Sequence, residues 1–166
     1  MKKLLCLSFW LLWSQAQSQS LRLVDQKHFY GIGPQVMEEL LTTPQGESYA
    51  LMSFENQLRY TGANQQLFLT PPNSNVEHNL ALIKLNAQGH IAWHTQMYAN
   101  QEMTALDMIQ LDSIGILVLF RMKGLGYFDT QNTSQVRGAS TGDYVMALYD
   151  TSGSVIWHRG FGASLK

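Results

Sequence analysis

The sequence predicts an all-β protein made of two four-stranded antiparallel units and a leading strand. The main observation is an internal match, in which NLALIKLNAQGHIAWHTQMYA (79–99) aligns without a gap, at an offset of 64, with DYVMALYDTSGSVIWHRGFGA (143–163). Each segment reads as a strand, a tight turn and a second strand. An Asx residue opens each turn, and a glycine takes the position that needs a positive φ. Four strands per unit at a period of about 65 residues are typical of a stacked β-array.

The remaining strands of each unit precede these segments. Gln35–Thr42 and residues 102–110 fit either a short helix or a strand by propensity, but the β-rich runs that follow them favour strands. Those runs are Ser48–Phe54 and residues 114–122, which superpose at an offset of 66. Residues 116–120 are apolar without alternation, and this predicts a strand that is buried on both faces.

Two long connections interrupt the units, and one short strand leads into them. Residues 21–30 end in an aromatic-glycine step like those that end the later strands, so we expect the final strand of an earlier unit. The connections span residues 55–78 and 123–142, and residues 66–69 of the first predict an extra short strand. Connections longer than about 12–15 residues are usually functional or disordered. Since both follow the second strand of a unit, we expect both to project from the same edge.

The two tryptophans of the matched segments occupy corresponding positions in a strand. Core packing is the favoured interpretation for both, and a sugar-binding platform is the alternative. Alternation along a strand predicts which side chains share a face with each tryptophan. The two predicted sets are Ile91, Trp93 and Thr95, and Val155, Trp157 and Arg159.

The N-terminal segment has the pattern of a secretory signal peptide at 1–16. Lys2 and Lys3 precede an apolar run at 4–13, which is too short to span a bilayer. Small residues allow cleavage after Ala16 or after Ser18. The alternative is an uncleaved anchor. The signal predicts an exported protein, periplasmic or secreted, that meets the membrane only through this segment.

The mature chain then forms a single domain at 21–166, with one unit at about 31–99 and the other at about 100–163. The only cysteine, Cys6, lies in the signal, so no disulfide supports the fold. The 11 Lys and Arg residues are scattered singly, which argues against a nucleic-acid partner. The sequence contains no recognisable catalytic constellation, metal-ligand spacing or cofactor motif.

Residues 143–162, DYVMALYDTSGSVIWHRGFG, resemble the repeat of secreted bacterial β-propellers of the SBBP type. In that repeat an aspartate opens an apolar strand, a D-x-S-G turn follows, a tryptophan lies in the next strand, and a glycine-aromatic-glycine step ends it. Residues 79–99 are a weaker copy. The resemblance implies two propeller-blade-like units and a binding or scaffolding role. The period is longer than in compact blades, and propellers usually have at least four blades.

Two such units leave outer faces uncovered. The alternatives are a truncated reading frame, an open two-blade sandwich, and a chain that closes by self-association through open β-edges or with a protein partner. The predicted function is a non-enzymatic, extracytoplasmic binding or assembly module. The alternative function is that of a portion of a catalytic β-propeller, a hydrolase or lyase.

The candidate binding residues lie in the two long connections, whose polar and aromatic composition is typical of recognition surfaces. The alternative is that these connections are solvated linkers. The candidates are Tyr60, Asn64, Gln65 and Gln66 in the first connection, and Tyr127, Gln131, Asn132 and Arg137 in the second.

Overall fold

The structure is a computed structural model that describes residues 28–62, 65–71, 79–131, 133–138 and 142–162. The predicted signal peptide lies outside these residues. Within them the protein is all-β, as predicted, with three antiparallel sheets and no helix. None of the sheets closes on itself.

The strands are numbered in chain order. Those before the first long connection and within it are β1 (His28–Tyr30), β2 (Gln35–Thr42), β3 (Ser48–Phe54), β4 (Leu58–Gly62) and β5 (Gln65–Leu69). The next are β6 (Asn79–Leu85), β7 (Ile91–Ala99), β8 (Glu102–Leu111) and β9 (Gly115–Lys123). The last are β10 (Leu125–Tyr127), β11 (Gln135–Arg137), β12 (Asp143–Asp150) and β13 (Val155–Phe161).

The sheets follow one another along the chain. The N-terminal sheet has the order β1-β4-β5, the central sheet β11-β10-β7-β6-β3-β2, and the C-terminal sheet β13-β12-β9-β8. Strands β2, β3, β6 and β7 are therefore neighbours in one antiparallel unit, and β8, β9, β12 and β13 are neighbours in another. The prediction that the segments beginning at Gln35 and Glu102 form strands is confirmed.

Each long connection folds mainly into a β-hairpin that extends the sheet before it. The hairpin β4–β5 pairs with β1, where Phe29 lies opposite Tyr60. The hairpin β10–β11 pairs with β7, where Tyr98 lies opposite Tyr127. The predicted extra strand of the first connection is present as β5. Strand β1 thus receives a hairpin in the same way as β7, the last strand of the first unit.

A β-bulge in the first strand of each unit fixes how the two units correspond. The register shifts at Glu38 in β2 and at Leu106 in β8, and each bulge adds one residue that has no direct partner. Aligning the bulges makes Leu119 the counterpart of Leu51, an offset of 68. The offset of 66 expected for these strands is therefore wrong.

A second pair of bulges overturns the predicted face of the tryptophan strands. Trp93 pairs with Lys84 but Ile91 pairs with Leu85, so the extra residue between them turns Ile91 to the opposite face from Trp93. The shift in β13 likewise separates Val155 from Trp157. Simple alternation from the turn therefore fails at the first residue of each strand.

Two hydrophobic cores lie between the three sheets. The first joins the N-terminal and central sheets through the buried residues Met52, Phe54, Leu58, Tyr60, Leu69, Ala81, Ile83 and Leu85. The second joins the central and C-terminal sheets. Its members include Tyr49, Leu51, Leu80, Leu82, Met97, Met103, Ile116, Phe120, Phe128 and Tyr149. Within the part of the chain that the structure describes, the central sheet is covered on both faces and the C-terminal sheet on one.

Candidate interaction surface

The uncovered face of the C-terminal sheet is the most distinctive surface of the described chain. Residues directly opposite one another in neighbouring strands point to the same face, so the register defines this surface as three rows across β8, β9, β12 and β13. We call it the outer face. Its rows are Thr104–Arg121–Tyr144–Phe161, Asp107–Leu119–Met146–Arg159 and Ile109–Leu117–Leu148–Trp157.

The outer face is rich in exposed apolar side chains. Tyr144 is 54% exposed, Ile109 47%, Phe161 44% and Trp157 40%. Contiguous exposed apolar surface of this kind marks interaction sites more often than single exposed residues do. A shallow depression of about 440 Å³ lies along β13, and its lining includes Trp157, Phe161 and Met146.

The face of the central sheet that corresponds to the outer face, position by position, is packed against the C-terminal sheet. Leu51, Leu82 and Met97 are fully buried in the second core, under the C-terminal sheet. Their counterparts in the outer face are Leu119, Met146 and Phe161, in the same positions of the same strands. A face that is packed in one unit is therefore presented to solvent in the other.

The two tryptophans show this difference most clearly. The indole Nε1 of Trp93 donates a hydrogen bond to the Thr151 carbonyl at 2.8 Å, and its ring packs on Gly153 in the β12–β13 turn. Tyr49 lies beside the same ring, 5.9 Å away between centroids. Trp157 has no such cover, because no sheet formed by the described residues lies over it. The expectation of core packing holds for Trp93 and is wrong for Trp157.

Strand β9 was predicted to be buried on both faces, but one of its faces belongs to the outer face. Ile116, Val118 and Phe120 are fully buried in the second core. Leu117 and Leu119 alternate with them and are only half-buried, because they lie in the outer face. The predicted burial on both faces of residues 116–120 is therefore wrong, although the composition of the strand suits a sheet with both faces covered.

The outer face carries three exposed charged side chains at its margins. Asp107 lies at the β8 edge, Arg159 at the β13 edge, and Arg121 in β9 beside Tyr144. One oxygen of Asp107 accepts a hydrogen bond from the Met108 amide at 2.9 Å. Burial, and then the charge of Asp107, raise the pKa of nearby Glu39.

Tyr60, one of the predicted binding residues, belongs to the first core. It is fully buried and its ring packs on Phe29, 4.9 Å away between centroids. Its hydroxyl donates a hydrogen bond to the Gly89 carbonyl in the β6–β7 turn. A side chain in this position holds the N-terminal sheet to the central sheet and is not available at a surface.

The other candidates lie in two separate places. Gln65 is half-buried in β5, where its side-chain oxygen accepts a hydrogen bond from the Ile91 amide at 2.6 Å, and Gln66 is exposed beside it. Tyr127 stacks on Tyr98 at 4.7 Å in the central sheet, and Arg137 is exposed in β11.

Among the remaining candidates, Gln131 is exposed. Asn64 and Asn132 lie outside the described residues. Strands β4 and β5 belong to the N-terminal sheet, whereas β10 and β11 belong to the central sheet. The structure therefore does not bring the candidates of the two connections together in one sheet.

Sequence reasoning missed the outer face because its residues resemble those of a core. Leu117 and Leu119 match buried counterparts in the first unit, and Trp157 matches the half-buried Trp93, so their pattern predicts burial. The signal that could have found the surface is the charge at Arg159, whose counterpart Thr95 is neutral and 4% exposed.

Comparison with known proteins gives no further assignment. No family model, no curated protein and no solved structure matches the chain. Among the described residues, no three His, Cys, Asp or Glu side chains lie close enough to hold a metal ion. The same residues include no helix that could cross a membrane.

Proposed function

We propose that this protein is an exported, non-enzymatic, propeller-like module that docks a protein through its outer face. The observation that carries the proposal is the contrast between the two units. The face that packs against another sheet in the first unit is retained in the second as a broad apolar surface, with Trp157 and Phe161 exposed in its edge strand β13.

The chemistry of the outer face suits a protein partner. Aromatic residues and arginine are enriched at protein interfaces, and the outer face has Tyr144, Trp157, Phe161, Arg121 and Arg159 within four neighbouring strands. The middle row, in which Leu119 and Met146 lie between Asp107 and Arg159, fits the usual arrangement of an apolar centre and a polar rim. Export is supported by the signal-like N-terminus and by the resemblance of residues 143–162 to secreted propeller repeats.

Site-specific photocrosslinking in cells that export the full chain tests the proposal. A photoreactive amino acid replaces Tyr144, in the outer face, and in a matched variant it replaces Gln45, which is exposed in the β2–β3 turn. We expect a discrete adduct from position 144 and none from position 45. An absence of adducts at 144, or the same adducts at both positions, would contradict docking through the outer face.

A further inference from the structure

The outer face has a charge pattern that is complementary to itself. Its middle row runs Asp107–Leu119–Met146–Arg159, from an acid at one edge of the sheet to a base at the other. A two-fold axis parallel to the strands, midway between β9 and β12, would place a second sheet over the first with its edges exchanged. Each Asp107 would then lie opposite an Arg159, and the apolar residues would meet at the centre.

The flanking rows are also self-complementary under this axis. Arg121 would lie opposite Tyr144 of the second copy, which suits a cation–π contact. Ile109 would lie opposite Trp157, and Leu117 opposite Leu148, so that apolar side chains meet apolar side chains. No row brings two like charges together.

From this pattern we infer that the occupant of the outer face is a second copy of this chain, packed sheet on sheet about a two-fold axis. The inference rests on the proposed function and specifies its partner. Two-fold dimers are the commonest protein assemblies, and each uses the same patch of both copies. Facing sheets pack about 10 Å apart with their strands within roughly 30° of parallel.

The main alternative is a head-to-tail contact, in which the next sheet would cover the outer face as the C-terminal sheet covers the central one. The covering side of the C-terminal sheet is apolar there, with Val118, Phe120, Val145 and Ala147 in the contact. An apolar sheet of that kind would bury Arg159 and Arg121 without partners, and burying an unpaired charge is costly. Their neutral counterparts in the covered face are Thr95 and Ser53.

The size of the face sets the expected affinity. Four strands about 4.8 Å apart and seven residues rising about 3.3 Å each give a face of roughly 20 by 23 Å. Such an area is at the low end for specific interfaces. We therefore expect a dimer that dissociates at concentrations on the order of micromolar.

Charge exchange between Asp107 and Arg159 tests the two-fold arrangement. Sedimentation of the full-length protein is measured for the wild type, for Asp107→Arg, for Arg159→Asp and for an equimolar mixture of the two variants. Each variant alone would place like charges opposite each other twice, so we expect its dimer to weaken about tenfold or more. In the mixture both charge pairs are opposite in sign, so a heterodimer should form within about threefold of the wild-type affinity.

The outcomes separate this inference from the proposed function. Both residues are exposed, and a circular-dichroism melting curve that is unchanged in dilute protein, below the dissociation constant of the wild-type dimer, verifies that each variant folds. An open series of oligomers, or a dimer indifferent to both substitutions, would overturn the two-fold arrangement. So would a wild-type monomer at several hundred micromolar. The proposed function would still stand if position 144 were crosslinked to another protein, and would fail with the inference if no adduct formed.

Discussion

The central and C-terminal sheets present corresponding faces to different surroundings. Around Trp93, the β12–β13 turn and the strands of the C-terminal sheet cover the face and supply a hydrogen-bond partner. Around Trp157 none of the described residues covers the corresponding surface, which carries Asp107, Arg121 and Arg159 where the covered face has Glu39, Ser53 and Thr95. The difference shows that an apolar strand pattern specifies a face that needs a cover but does not specify which molecule provides it.

Substitutions of the two hairpin tyrosines compare the first core with the second hairpin, and one of them has the largest expected effect on the free energy of unfolding. Tyr60→Ala removes a fully buried ring and its hydrogen bond to Gly89, and we expect a loss of about 3–5 kcal/mol in the free energy of unfolding. Tyr127→Ala, at a half-buried position in the second hairpin, should cost about 1 kcal/mol. Urea denaturation measures both. Equal losses would contradict the different placement of the two tyrosines.

The matched leucines test the two faces directly. Leu51→Ala leaves a cavity in the second core and should cost about 2–5 kcal/mol. Leu119 is half-buried at the corresponding position of the outer face, so Leu119→Ala should cost about 1 kcal/mol in dilute protein. If dilute Leu119→Ala lost as much stability as Leu51→Ala, the outer face would already be covered within one chain.

The turn over Trp93 gives an intermediate effect. A Cβ on Gly153 would lie 2.6 Å from the Trp93 ring, and the glycine has a φ of 86°. Gly153→Ala should therefore cost about 2–3 kcal/mol. Gly89→Ala, in the corresponding turn with a φ of 70°, isolates the backbone strain and should cost about 1 kcal/mol. Thermal unfolding compares the two, and a smaller loss for Gly153→Ala would contradict the contact with Trp93.

Asp150, in the same turn, is expected to have the smallest effect on stability, through its titration at low pH. Its pKa is lowered, first by the hydrogen bond from the Ser152 hydroxyl and then by the amides of Ser154, Ser152 and Gly153. Because the folded pKa is below the unfolded value, this carboxylate stabilises the fold above about pH 4, and the contribution is lost as the pH falls through the lowered pKa.

The matched variant for this effect is Asp150→Asn, since Asn86 fills the corresponding position of the β6–β7 turn. Between pH 5 and pH 2, the stability of the wild type should fall slightly more than that of the variant. Denaturant midpoints at each pH measure the difference. Identical slopes would show that the hydrogen bonds do not favour the charged form of Asp150.

The sequence was sufficient to predict where the strands lie, but not where they bulge, how the hairpins pair or which faces are covered. The matched turns and apolar runs predicted an all-β chain, and the preference for strands at Gln35 and Glu102 is confirmed. The bulges were not predictable, because one extra residue between Trp93 and Ile91 leaves no mark in composition. The buried position of Tyr60 also depends on the pairing of a hairpin with β1, and local sequence does not specify that pairing.

The outer face was mispredicted because burial depends on contacts far apart in the sequence. Trp93 and Trp157 each come four residues after a turn glycine and directly before a histidine, so the same prediction was made for both. The cover of Trp93 comes from Thr151 and Gly153, almost 60 residues later. No local pattern around Trp157 reports whether a corresponding cover exists.

Oxidative footprinting of Trp93 and Trp157 over a range of protein concentrations tests the central claim most directly. Trp93 should remain protected throughout, since its cover lies in the same chain. Trp157 should be oxidised readily in dilute protein and become protected as the concentration passes the micromolar range. A Trp157 that is protected at every dilution, or that stays reactive at every concentration with or without a partner, would contradict the account of an open face that docks a protein.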